Sequence, residues 1–188
     1  YIATMENPWT LSSKPVMLSK PEYDWECVDF KVNEGPAILV HGGQVFITYS
    51  ASGTGVPYAV GLLSTHLGAN LLDPASWTKS KKPVFATCVA NHQYGPGHNC
   101  FTVSEDGKTT LMVYHCRDYT HIVGDPLADP NRHACVTEVH WKDDGMPDFG
   151  QPRPATRWTP QTTEILPPDG KPLGEKKIVK KDIAKENI

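Results

Sequence analysis

The sequence predicts an all-β fold of repeated four-strand units, a partial β-propeller of about three blades. Three observations predict it. Apolar residues alternate with a period of two through roughly the first 150 residues, the spacing that sends successive side chains to opposite faces of a strand. The 15 glycines and 17 prolines recur every few positions, the punctuation of short strands and tight turns. The pattern also restarts. Aligning Glu34-Gly35-Pro36 with Tyr94-Gly95-Pro96 gives an offset of 60, and aligning Tyr49 with Tyr114 gives 65. About four short strands in a unit of that size is the signature of a propeller blade. A β-sandwich is the alternative that the strand pattern alone leaves open.

The elements follow in order. The opening "YIATM" is strand-like, and "YDWECVDF" reads as a strand approach. "AILVHGGQVFITYSAS" reads as two strands joined at Gly42-Gly43, a two-residue hairpin turn. The apolar run from Ala37 to Val40 has the look of a buried strand. "YAVGLLST" is the third strand and "PVFAT" a short fourth. Between them "LLDPASWTKS" is a loop with its turn at Asp73-Pro74 and Trp77 as its anchor. "GPGHNCFTVSEDGKTTLMVYHCR" repeats the motif, with a turn at Glu105-Asp106-Gly107. "HACVTEVHWKDDGMPDFG" alternates again and turns at Asp144-Gly145. These elements make up one domain over residues 1–152. Residues 153–188, rich in Pro, Lys and Glu, read as an extended, partly disordered tail.

A propeller needs at least four blades to close. The material here fills between two and a half and three, so further chain is expected before Tyr1. An isolated piece would expose sheet edges, and self-association through them is the natural rescue. The formal net charge of -3, with 21% charged residues, makes no electrostatic case for nucleic acid or an anionic membrane. The apolar runs fall far short of the ~20 residues that span a bilayer. The five cysteines are odd in number and show no CxxC spacing, so they read as small residues at strand positions.

Glu34, His98 and Asn99 stand where strands begin. In a propeller the first strand of each blade lines the central channel, and the strand mouths surround one funnel. Residues some 60 apart can therefore converge. A Glu and a His meeting in such a funnel suit sugar chemistry or metal binding. Burial at a strand mouth would also help a carboxyl keep its proton near neutral pH. Trp9 and Trp25 are candidate sugar-stacking platforms, with core or loop anchoring as the competing role.

The segments "NEGPAIL", "SWTKS-KPVF", "YGPGHNCFTVSEDGK", "DPNRH" and "W-DDG-PDFG", in that order and spacing, resemble the C-terminal part of glycoside hydrolase family 43. The resemblance covers about residues 1–152. It implies a five-bladed β-propeller, of which this chain holds the later blades. It also implies hydrolysis of O-glycosidic bonds in arabinose- and xylose-containing plant polysaccharides, with inversion. An α-L-arabinofuranosidase is the first expectation; β-xylosidase and endo-arabinanase are the close variants. A secreted or periplasmic location goes with the family.

The resemblance assigns Glu34 as the general acid. It makes His98 the histidine that faces the axis and, in many members, ligates calcium directly or through water. Arg132 matches an arginine that reaches into the sugar pocket. Asn33, beside the acid, and Trp9 join His98 and Arg132 as candidate substrate-binding residues. The general base and a second aspartate that tunes the acid belong to blades before Tyr1, so the chain alone is expected to be inactive. Asp24 and Asp29 are the nearest carboxylates that could stand in for the base. Cys27, Cys100, Cys116 and Cys135 occupy positions where Arg, Ser, Ala and Arg are expected. A non-catalytic carbohydrate-binding propeller piece is the alternative from another class.

Overall fold

The structure, a computed structural model, describes residues 1–154. Eleven strands run in chain order: β1 (Met5–Asn7), β2 (Thr10–Leu11), β3 (Asn33–His41), β4 (Gln44–Ala51), β5 (Ala59–His66), β6 (Thr78–Lys79), β7 (Tyr94–Val103), β8 (Thr110–Arg117), β9 (His133–Glu138), β10 (His140–Trp141) and β11 (Pro147–Asp148). They form a four-stranded antiparallel sheet β3-β4-β5-β6 and a three-stranded sheet β7-β8-β9. Two small hairpins, β1-β2 and β10-β11, complete the set. The two larger sheets are the predicted repeat, with β3 and β7 at corresponding positions.

The β3-β4 turn is the predicted one. His41 pairs with Gln44, and Gly42 and Gly43 both have positive φ, as a two-residue type I′ turn demands. β4 is covered on both faces. Phe46 points into a cluster with Leu39, Val60, Leu62, Phe85, Met112, Tyr114, Cys116, Val139 and Phe149. Ile47, Tyr49 and Ala51 point the other way, against Leu63, with Leu18, Trp25 and Trp77 packed alongside. Each large apolar side chain so buried contributes roughly 1.5–3 kcal/mol.

Two expectations need correction. The run Ala37–Val40 is not a buried strand: Leu39 is buried, but Ile38 is 65% and Val40 53% exposed. β3 is the edge strand of its sheet and commits only alternate residues to the core. The fourth strand is Thr78–Lys79, not "PVFAT". Phe85 makes only an isolated bridge to Val60, where its ring fills the core. The loop anchor holds: Asp73 caps the 3-10 turn Pro74–Ser76 by accepting from Ala75 N–H, and Trp77 donates to the Leu71 carbonyl.

Of the tail expected over 153–188, residues 155–188 lie outside the described residues. Its approach is tied down, because Asn91 donates to the Pro152 carbonyl at 2.8 Å. Among the described residues no helix is long and apolar enough to cross a membrane.

Candidate active site

β3 and β7 are both irregular at the same end. The β3-β4 register shifts between Glu34 and Ala37, and the β7-β8 register shifts between Tyr94 and Gly97 and again between Gly97 and Cys100. Such bulges re-aim side chains that a regular pleat would hide. His98 sits in one of them with φ +49, a left-handed conformation uncommon outside glycine. Its backbone N–H donates to the Ser50 hydroxyl at 2.7 Å, which ties the bulge to the buried strand β4.

The two bulges bring Glu34 and His98 together, as the sequence repeat implied. The Glu34 carboxyl and His98 Nδ1 are 3.9 Å apart. Between them stands a residue that the sequence reading did not single out. The Tyr58 hydroxyl donates to Glu34 Oε1 at 2.6 Å and lies 3.3 Å from His98 Nδ1. Tyr58 is fully buried, and its ring stacks on His115 with centroids 5.4 Å apart and planes 11° from parallel. The fit admits no side chain beside it: a Cβ on Gly97 would come within 2.3 Å of the Tyr58 ring, and one on Gly35 within 3.1 Å of the His98 ring. Burial first, then the bond to Glu34, pushes the Tyr58 phenol above its ordinary range, so it stays a donor.

Glu34 itself is not sealed. Its side chain is 39% exposed, so the desolvation expected of a strand mouth is not supplied by the described residues. Tyr58 instead gives one of its oxygens a fixed partner and leaves the other uncommitted.

Beside this cluster opens a pocket of about 570 Å³, lined by His98, His115, Leu127, Ala128, Asp129, Pro130 and Arg132. Arg132 therefore does reach the same pocket as His98. The segment that carries it is held from within. Arg117, 2% exposed, donates to Asp129 at 3.2 Å, to the Pro126 carbonyl at 2.8 Å and to the Thr54 carbonyl. The Tyr119 hydroxyl and Arg117 hold the Asp129 carboxyl below its ordinary value. Asp129 is thus committed to a structural role. His115 has no hydrogen-bond partner for either ring nitrogen. Burial, aided by the charges of Arg132, His98 and Arg117, pulls its pKa down to about 4.

The remaining candidates lie elsewhere. The Asn33 amide donates to Glu26 at 3.1 Å and accepts from Ser19 at 2.7 Å, and so faces a structural node. That node is Glu26, fully buried and bonded by Glu22 N–H, Tyr23 N–H, the Tyr49 hydroxyl and Lys79. Trp25 stacks on Tyr49 and donates to the Lys81 carbonyl, so it is an anchor. Trp9 stands 83% exposed in the β1-β2 turn, outside the Glu34 cluster. Asp24 begins the 3-10 turn Asp24–Glu26, on the approach to β3. The Asp29 side chain packs where a Cβ on Gly53 would meet it. Neither joins the hydrogen-bonded cluster at Glu34.

For a calcium ion at His98 the described residues offer that imidazole and the Glu34 carboxyl 3.9 Å from its Nδ1. They assemble no group of three or more His, Cys, Asp or Glu side chains. Calcium takes about 6–8 oxygen ligands. This donor set does not make a calcium cage, and no step below runs through a metal.

Comparison with known proteins places this geometry. A family model described as "Glycosyl hydrolases family 43" matches residues 1–147. An "Extracellular exo-alpha-(1->5)-L-arabinofuranosidase" from Streptomyces avermitilis is 57% identical over 152 residues, 81% of this chain and 32% of that protein. "Alpha-L-arabinofuranosidase 43" from Humicola insolens is 52% identical over 154 residues, 82% of this chain and 32% of that protein. Among solved structures, an alpha-L-arabinofuranosidase from Lactobacillus brevis matches with a TM-score of 0.80 at 60% identity, covering 81% of this chain and 47% of that one. A thermostable family-43 glycoside hydrolase matches with a TM-score of 0.58 at 29% identity, covering 78% and 46%. The chain thus spans about a third, 32%, of the length of the curated relatives it matches.

Proposed function

The chain belongs to glycosyl hydrolases family 43, with sheets that are blades of the family's five-bladed propeller, and from that premise we propose that it forms part of an inverting α-L-arabinofuranosidase. The substrate class is arabinose-containing plant cell-wall polysaccharide. Secretion is proposed with it, from the relative named extracellular.

The observation that carries this reading is the Glu34 carboxyl. One of its oxygens is bound by Tyr58 at 2.6 Å, and the group stands beside a pocket walled by His98 and Arg132. Glu34 is the general acid. It gives its proton to the departing glycosidic oxygen as the bond to the anomeric carbon breaks. An inverting mechanism places the base roughly 6.5–9.5 Å from the acid, with the attacking water between them. Asp129, the carboxylate that lines the pocket, is tied to Arg117 and Tyr119, and the base is assigned to residues other than those described. His98 and Arg132 orient the sugar.

Replacing Glu34 by Gln in the full-length protein tests the assignment. Hydrolysis of aryl arabinofuranosides with poor leaving groups should slow by at least about a hundredfold, the lower end for acid catalysis. Near-unchanged turnover would remove Glu34 from the role. The 188-residue chain assayed alone should show no turnover; turnover with clean inversion would place a base within it.

A further inference from the structure

The Tyr58 hydroxyl has one proton and two neighbours, Glu34 Oε1 at 2.6 Å and His98 Nδ1 at 3.3 Å. We propose that Tyr58 is a positioning residue that decides which oxygen of Glu34 carries the acidic proton. By donating to Oε1 while accepting from His98 Nδ1–H, it confines that proton to Oε2. The inference rests on Glu34 being the acid.

Two hydrogen-bond directions compete along the row. In the first, His98 Nδ1–H donates to the Tyr58 oxygen, Tyr58 donates to Glu34 Oε1, and the carboxyl proton sits on Oε2, free to meet a substrate. In the second, Glu34 holds its proton on Oε1, donates it to Tyr58, and Tyr58 donates to His98 Nδ1. The second arrangement spends the acidic proton on the protein. The distances favour the first. Tyr58 has a single proton to give, and Glu34 at 2.6 Å is a nearer acceptor than His98 at 3.3 Å.

Tyr58 has little freedom to abandon this position. Its ring is wedged between the Gly97 backbone and the His115 ring. His115 contributes through that stack, since neither of its nitrogens has a partner. Kept neutral down to about pH 4, it adds no second cation beside Arg132.

The effect grows as the reaction proceeds. When the Oε2–H bond breaks, its proton goes to the glycosidic oxygen, whose bond to the anomeric carbon breaks, while water adds to that carbon and the base takes the water's proton. Glu34 becomes a carboxylate. The Tyr58 bond then changes from neutral to charge-assisted, and so favours the transition state over the ground state. The same row leaves His98 as its Nδ1–H tautomer, with Nε2 an acceptor on a side chain 56% exposed beside the pocket.

The test is Tyr58→Phe in the full-length protein, which keeps the ring and its stack. With aryl arabinofuranosides of graded leaving-group ability, kcat should fall by roughly tenfold to a hundredfold for the poorest leaving groups, the range of one hydrogen bond to a charged group. It should fall little for the best, with KM nearly unchanged. A merely structural role would lower all substrates alike. Nitrogen-15 NMR of histidine-labelled protein supplies a second readout that does not depend on turnover. His98 should be the Nδ1–H tautomer, and Tyr58→Phe should shift it toward Nε2–H. A wild-type Nε2–H tautomer, or a leaving-group dependence unchanged by Tyr58→Phe while Glu34→Gln abolishes activity, overturns the proposal. If Glu34→Gln is itself harmless, the acid assignment fails and takes the kinetic half with it. The tautomer then decides the geometric half alone.

Discussion

Replacing Glu26 by Ala should cost about 3–5 kcal/mol of stability, the range for removing one partner of a buried ion pair. Glu26 is fully buried and its two oxygens take five hydrogen bonds. Oε2 accepts from Glu22 N–H at 2.9 Å, Tyr23 N–H at 3.0 Å and Lys79 Nζ at 2.9 Å. Oε1 accepts from Tyr49 at 2.8 Å and Asn33 at 3.1 Å. Truncation leaves these donors facing a void. Lys79 retains the Lys20 carbonyl at 2.8 Å and the Tyr23 and Tyr49 ring faces, which holds the loss toward the lower end. At about 2–4 °C per kcal/mol for a domain of this size, thermal unfolding should move down by on the order of 10 °C. Burial works against the charged carboxyl, but the backbone N–H groups of Glu22 and Tyr23, with Lys79 and Tyr49, outweigh it and hold the pKa below the ordinary 4.5. A depressed carboxylate contributes stability that is complete above its unfolded value and lost as pH falls through its folded one. The wild type should therefore weaken below about pH 4.5, and Glu26→Ala should weaken less steeply there. Calorimetric scans of the full-length protein between pH 3 and 7 measure both. A loss under about 1 kcal/mol, the scale of a surface pair, would show that the node does not hold the approach to β3.

Three further outcomes are expected. His115→Phe keeps the stack on Tyr58 and removes a base whose pKa falls from 6.5 unfolded to about 4 folded. Wild-type stability should decline as pH drops through that window, because the unfolded chain binds the extra proton, and the variant should show a flatter profile in the same scans. Arg117→Lys cannot reproduce a guanidinium that reaches Asp129, Pro126 and Thr54 together. Limited proteolysis should cut faster between residues 118 and 132, and KM should rise more than kcat falls. Gly97→Ala drives a methyl into the Tyr58 ring and within 2.9 Å of the Ser50 hydroxyl. It should destabilise by about 1–3 kcal/mol, measured by denaturant midpoint.

Much of the fold was legible because strands declare themselves locally. The Gly42-Gly43 hairpin, the turns at Glu105-Gly107 and Asp144-Gly145, and the offset between Glu34 and Tyr94 all follow from pleat periodicity and turn chemistry. The errors arose where pairing is non-local. Thr78–Lys79 carries no strand signal of its own and becomes β6 only because β5 offers it an edge. The apolar Ala37–Val40 looked buried, but as an edge strand it spends only alternate side chains on the core.

The site divides the same way. Glu34 and His98 could be named from "NEGP" and "YGPGHN", because those segments carry the family resemblance. Tyr58 left none: "VPYAV" is an ordinary strand entry, and only folding brings its hydroxyl between a carboxylate and an imidazole. Glu26 and His115 were equally silent, since one looks like a surface acid and the other like a strand polar residue until burial gives each its chemistry. By itself the sequence determined the hairpins and the repeat, which are properties of neighbours along the chain. The tertiary structure alone decided what holds Glu34, because hydrogen bonds form between groups close in space, and here those groups lie 24 and 40 residues apart.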